Sequence, residues 1–492
     1  MAAPQTLEMM QARYGGRYRW YVLLTVMSGM MAAIVSSTIV NVAVPDMSRA
    51  FELTQSRAQW IAAAFMMAMT LALPLTPSLL QRLGLFKTYV IALCLLMSGG
   101  ILGGFSPNYE LLIVARVIEG FAAGFIQPIP NIIILRAFEP REQGRAMGFY
   151  GLGVVLAPAM GPTVGGLLVE AFGWRSIFFF VVPVCLAALL MSHRFLARTS
   201  SFPAATRRFD WRGLALLATV LLLLQNGLVQ LGEAHKLGHW MISVSILLGA
   251  WFSISQWHRA EPLVQVRLFS HRTFAMGMIV AFVYGIGLFG STYLVPVFLQ
   301  TGLGYSPSAA GAALMPAGFT LAVTVFVSGR LADRFEAAYL VCAGVSLLTL
   351  SMLLLSSVDL LTPYLHILLF IMVGRVGLGL VLPSLMLGVS RGLARDETPQ
   401  AVSMLSLLRQ LGGALGISLV GLLIDWRMRA VGIDPGIVWR NLMTGQGAPG
   451  PVIPHEELVQ PFAETLQLLA LISAPAIIAA VLMRPARDAR RR

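Results

Sequence analysis

Residues 109–131 read YELLIVARVIEGFAAGFIQPIPN, a run in which the only charged residues after Glu110 are Arg116 and Glu119. A helix rises about 1.5 Å per residue, so some twenty apolar residues cross a hydrocarbon layer of about 30 Å. The run has the length of one membrane crossing. A charge at bilayer depth costs roughly 2.5 to 3.5 kcal/mol on insertion scales, so charges kept there face a bundle interior or an aqueous path. Arg116 and Glu119 are three residues apart and therefore share one helical face, where they can pair or line a common polar cavity.

Blocks of this kind recur along the chain. Approximate crossings run 20–44, 60–80, 87–106, 111–131, 146–169, 177–195, 212–231, 240–257, 274–298, 309–328, 338–356, 365–386, 405–424 and 466–483. Solid apolar runs such as Leu216 to Leu224 contradict the strict alternation of a membrane β-barrel. A twelve-crossing alternative would make 212–231 and 240–257 peripheral. The expectation is an all-α polytopic membrane protein with 14 transmembrane helices.

Composition agrees: 57% of residues are hydrophobic and 12% charged, against roughly a quarter charged in a soluble domain. The formal charge of +13 does not form a nucleic-acid patch beside aromatic residues. With the N-terminus inside, 25 of the 35 basic residues fall in inner segments, 7 in outer ones, and Arg116, Arg375 and Arg409 within crossings. Short cytoplasmic loops carry excess Lys and Arg, so both termini are expected in the cytoplasm. The first block runs on to about Val44 and reads as a retained signal anchor. Cys94, Cys185 and Cys342 lie in apolar blocks without metal-ligand spacing. No Walker-type loop and no HExxH cluster occurs, which argues against an ATPase or a zinc enzyme.

An internal repeat emerges once the blocks are numbered. The fourth carries Arg116 followed by Gly120, and the twelfth carries Arg375 followed by Gly379. Gln81-Arg82-Leu83-Gly84 joins blocks two and three, and Gly329-Arg330-Leu331-Ala332-Asp333-Arg334 joins ten and eleven. The offset of eight implies two six-helix repeats, in 1–195 and 261–492, with a linker and two inserted helices in 196–260. Repeated halves around a central site permit alternating access.

Several ordered motifs resemble one family. Thr38-Ile39-Val40-Asn41-Val42-Ala43-Val44-Pro45 opens the set, followed by Trp60-Ile61, Arg116-Val117-Ile118-Glu119-Gly120 and Gly161-Pro162-Thr163-Val164-Gly165-Gly166. Gly304-Tyr305-Ser306-Pro307 and Arg409-Gln410-Leu411-Gly412-Gly413 complete it. The chain resembles the major facilitator superfamily, and within it the fourteen-helix drug:proton antiporters of bacterial multidrug efflux. The resemblance implies the major facilitator fold, export of hydrophobic or amphipathic compounds by proton antiport, and the bacterial inner membrane. It also implies a periplasmic adaptor and an outer-membrane channel as partners in Gram-negative relatives. The departures matter. The family commonly has Leu-Asp where Val35 and Ser36 stand, and its Arg-x-x-Gln-Gly element has Glu119 here.

Candidate residues follow. Glu119, influenced by Arg116, is the candidate proton-coupling acid; a fixed ion pair that only braces the helix is the competing reading. Gly148, Gly161, Pro162, Gly165 and Gly166 form a small-residue stripe that admits close approach of another helix, read as a gate between halves. Asp333 and Arg334 form the candidate charge lock of the second inner loop. Asn41, Phe65, Gln127, Tyr284, Tyr293 and Gln410 are candidate cavity residues for a lipophilic substrate. The segment Trp426 to Glu464 is the longest outer connection. A narrower exporter of a metabolite, peptide or siderophore, or a facilitator without proton coupling, is the alternative function. No cofactor, metal or nucleic acid is expected; substrate, protons and membrane lipid are.

Overall fold

The computed structural model describes residues 7–53, 55–197, 210–232, 236–259, 262–391, 393–394, 396–438 and 454–484. Every regular element among them is helical. A short α1 (Leu7–Tyr14) precedes α2 (Tyr18–Ala50), α3 (Gln55–Ala72), α4 (Thr76–Gly104), α5 (Tyr109–Ile126), α6 (Ile129–Ala137), α7 (Pro140–Phe172) and α8 (Ser176–Phe195). Then come α9 (Trp211–Gly232), α10 (Lys236–His258), α11 (Arg272–Val297), α12 (Pro307–Ala332), α13 (Ala337–Ser356), α14 (Tyr364–Ser390), α15 (Thr398–Ala430) and α16 (His455–Leu482).

Local chemistry sets the ends. Asn108 caps α5 by accepting the Leu111 N–H at 3.0 Å, and Ser306 caps α12 by accepting that of Ala309 at 3.2 Å. Gly173, at φ 76°, ends α7 in a conformation that suits glycine. Pro128 separates α5 from α6, so the opening stretch of sequence is two helices in line.

Thirteen helical stretches among the described residues are long and apolar enough to cross a membrane. One, Trp60–Gly104, has 45 residues, about 67 Å of straight helix and twice what a bilayer needs. Gly84, at φ 75° and ψ 171°, breaks it between the blocks read as 60–80 and 87–106.

The chain divides into two compact units, Met1–Leu221 with Gly249–Leu268 and Ser390–Leu407, and Leu222–Leu248 with Phe269–Val389 and Leu408–Arg492. Lipid tails are as apolar as leucine, so packing in a membrane rests on close backbone approach and internal hydrogen bonds. In the first unit, Gly120 and Gly124 of α5 lie on the Phe65 and Met69 carbonyls of α3. Gly161 and Gly165 of α7 lie on Thr38 and Ile39 of α2. Tyr89 of α4 donates to the Thr25 carbonyl at 2.6 Å and accepts the Gly29 N–H at 3.0 Å. The apolar cluster of this unit gathers Ile39, Ala43, Met47, Ile61, Leu112, Trp174 and Phe178.

The second unit repeats these pairings with other residues. Gly379 of α14 lies on Thr324 of α12, and Gly285 of α11 against the Arg409 carbonyl of α15. Ser328 donates to the Leu380 carbonyl at 3.0 Å, and Thr349 of α13 shares a 3.0 Å bond with Ser473 of α16. So α5 on α3 matches α14 on α12, and α7 on α2 matches α15 on α11.

In the first unit Asp210 ties α9 to α10. It accepts the Gly213 N–H and the Gln256 side chain, each at 2.8 Å, and pairs with Arg259.

Candidate functional site

The helical spacing of α5 puts Arg116 and Glu119 on one face, and both are fully buried. Arg116 Nη1 donates to Glu119 Oε2 at 2.5 Å. Ser36 Oγ, from α2, donates to Glu119 Oε1 at 3.2 Å. Arg116 also donates through Nε to the Ile61 carbonyl at 3.0 Å and through Nη1 to that of Ser36 at 3.4 Å. The Phe65 ring lies 4.3 Å from its Cζ, a cation–π contact strengthened by the absence of solvent. Nη2 of Arg116 is buried without a hydrogen-bond partner.

Gly99 of α4 makes the room. A Cβ there would stand 2.6 Å from Glu119 Cγ and 3.1 Å from the Ala115 carbonyl. Three helices thus converge on one carboxylate, and its two oxygens meet different partners, a cation and a neutral hydroxyl. A buried carboxylate stays ionised only while such partners hold it. Parting it from Arg116 changes its preference between the two protonation states. That is the chemical capacity of the arrangement.

The other sequence candidates divide between the units. In the first, Phe65 is fully buried under Arg116. It is thus part of the packing around the ion pair. Asn41 is exposed on α2, and Gln127 is half-buried at the end of α5 with its Oε1 unpartnered. In the second, Tyr284 and Gln410 are buried at 3% and 2% exposure, while Tyr293 is half-buried.

Gly161 and Gly165, expected at a contact between halves, meet α2 of their own unit. A Cβ at Gly166 would meet nothing within 4 Å, and Gly148 is buried. The Pro162 side chain lies outside the described residues. Asp333 and Arg334 follow one another at the end of α12, the first half-buried and the second exposed.

The outer segment read as 426–464 is largely helical at both ends, because α15 runs to Ala430 and α16 starts at His455. Polar residues there continue helices beyond the apolar layer, and Glu464 of α16 pairs with Arg427 of α15. Residues 439–453 lie outside the described ones.

Sequence reasoning missed the Ser36 hydroxyl as partner of Glu119 and Gly99 as its seat. The signal for Gly99 was the Gly99-Gly100 pair inside an apolar block, since paired glycines there mark close approach.

Comparison with known proteins gives a consistent result. The profile of the Major Facilitator Superfamily matches residues 26–417. The chain is 30% identical over 404 residues to the multidrug resistance protein B homolog of Mycobacterium tuberculosis (strain ATCC 25618 / H37Rv), covering 80% of this chain and 74% of that one. It is 27% identical over 409 residues to the methylenomycin A resistance protein of Streptomyces coelicolor, covering 81% and 85%. Among solved structures, the fucose:proton symporter FucP of E. coli superposes with a TM-score of 0.64 at 14% identity, covering 96% of this chain and all of that one. At that identity the likeness concerns the fold.

Proposed function

The chain belongs to the major facilitator superfamily, as a secondary transporter and not an enzyme, and on that premise we propose that it exports lipophilic or amphipathic compounds in exchange for protons. Export runs across the bacterial cytoplasmic membrane, with fourteen crossings and both termini inside. The six-helix parts within 1–195 and 261–492 alternate access, and 196–260 holds the linker and two inserted helices. Relatives named for multidrug and antibiotic resistance support export over uptake.

Glu119 is the coupling acid in this reading, and Arg116 the charge that holds it ionised for part of the cycle. An antiporter needs a group that gains and loses a proton as access alternates. The supporting observation is the hydrogen bond from Ser36 to Glu119. Where the family commonly has an acid in its first helix, this chain has a hydroxyl. That hydroxyl touches a carboxylate standing where the family has glutamine. The acid has changed helices without leaving the site. Asp210, the other buried carboxylate among the described residues, is engaged at the start of α9.

The test is a panel of lipophilic compounds offered to the purified protein in liposomes with an imposed pH gradient. At least one compound should move uphill, and its flux should collapse when the gradient is dissipated. Equal flux with and without the gradient would reduce the chain to a facilitator.

A further inference from the structure

Arg375 takes in α14 the place that Arg116 takes in α5. Each is followed four residues later by a glycine seated on the neighbouring helix, Gly120 on Phe65 and Gly379 on Thr324. The two sites differ one position earlier. Glu119 supplies a carboxylate to Arg116, whereas the matching residue beside Arg375 is Leu378.

Arg375 is only 8% exposed, and among the described residues it makes no hydrogen bond or ion pair; the side chain that acts on it electrostatically is the neutral phenol of Tyr284. It borders a cavity of about 20 Å³ inside the second unit, together with Ser291, Ser351, Gly374, Leu378 and Leu466. A space of about 10 to 15 Å³ holds one water-sized particle. The guanidinium keeps its charge and has five N–H donors to satisfy. The walls bring no counter-charge. The Ser291 hydroxyl donates to the Leu288 carbonyl at 3.2 Å and that of Ser351 to the Phe370 carbonyl at 2.7 Å. A cation so buried needs an opposite charge more than it needs another dipole.

We infer that the cavity beside Arg375 binds one small monovalent anion, which stands to Arg375 as the Glu119 carboxylate stands to Arg116. The first repeat carries its anion covalently and the second takes one from outside. Chloride from solvent and the carboxylate of a small organic acid share this chemistry, and a space of about 20 Å³ suits the smallest such anions.

The full-length chain, purified in detergent, tests this by its melting temperature at constant ionic strength. Sodium gluconate, too large for the cavity, is replaced stepwise by chloride, bromide or acetate. The wild type should gain about 2–4 °C in a saturable manner. A response to halides alone identifies an inorganic ion, and a response to acetate identifies a carboxylate. Leu378→Glu, which tethers a carboxylate in the same place, should melt as high as the anion-saturated wild type and ignore all three salts. Arg375→Gln should also lose the response. A wild type indifferent to every salt, or a Leu378→Glu variant with the full response, overturns the assignment.

Discussion

Ser36 of α2 and Glu119 of α5, 83 residues apart in the chain, meet through a 3.2 Å hydrogen bond at a carboxylate whose other oxygen is held by Arg116. Hydroxyl and guanidinium act differently on it. The guanidinium favours the ionised acid alone, whereas the hydroxyl can donate to a carboxylate or accept from a protonated acid. Ser36 therefore suits a group that changes protonation state.

Glu119→Gln should lower gradient-driven transport by about 100-fold while leaving exchange of substrate down its own gradient nearly intact. Ser36→Asp combined with Glu119→Gln returns one carboxylate and one amide to the same place, and should recover part of the driven flux. Both modes are measured in the same proteoliposomes. Undiminished driven transport by Glu119→Gln would remove this residue from the coupling path.

Gly99→Ala forces a methyl group against Glu119 Cγ, 2.6 Å from where its Cβ would stand. Overpacking of this kind costs about 1–3 kcal/mol, so the melting temperature should fall and driven transport should weaken. Gly311→Ala on α12 meets nothing within 4 Å and should stabilise its helix by about 0.5–1 kcal/mol. Equal melting temperatures for the two variants would refute the steric account.

The glycines of α7 offer an internal control. Gly161→Leu and Gly165→Leu drive a branched side chain into Thr38 and Ile39 of α2, whereas Gly166→Leu has open space. Transport by the first two should fall by an order of magnitude or more, from about 1–3 kcal/mol of misfit, and the third should stay near wild type. A uniform effect of all three would point to glycine content rather than to the α2 contact.

Reporter fusions test the fourteen crossings. Fusions after Glu233 and Arg440 should read outside and those after Arg207 and Arg484 inside. Glu233, Arg440 and Arg207 lie outside the described residues, and Arg484 follows α16. One reversed pair breaks the topology.

Asp359, in the turn between α13 and α14, accepts the Thr362 hydroxyl at 2.6 Å and the Leu361 N–H at 3.1 Å. The Thr362 bond first, and the backbone bonds with it, hold its carboxyl below the usual range. A carboxyl depressed in the folded state adds stability above its unfolded pKa, about 3.9, and loses it as pH falls through the folded value. The melting-temperature difference between wild type and Asp359→Asn should therefore shrink from pH 5 towards pH 3. A difference constant over that window would show that the carboxylate does not matter to the turn.

What the sequence revealed and what it hid follow from range. Block length gave the long apolar helices, and the three-residue spacing gave the Arg116–Glu119 pair, because both are local to one helix. The partners of that pair come from α2, α3 and α4. Whether Ser36 or Ser37 faces α5 depends on the rotation of α2, which its nearly uniform apolar sequence does not encode. The contact of Phe65 with Arg116 stayed hidden because an aromatic residue reads alike over a ligand or over an arginine. The glycines of α7 announced a close approach without naming the helix approached. Glu464 looked like a loop acid because polarity marks the edge of the apolar layer, and helices run past that edge.

Gly84 has a mechanical meaning. One glycine outside helical geometry interrupts α4, with helix resuming on both sides. A joint that short has no slack. Two rods meeting at it behave as a crank and not as beads on a string, so a tilt of either arm reaches the other as torque. The backbone at that point needs a positive φ, which side chains resist. A side chain at Gly84 would therefore place its strain at the elbow rather than in either rod.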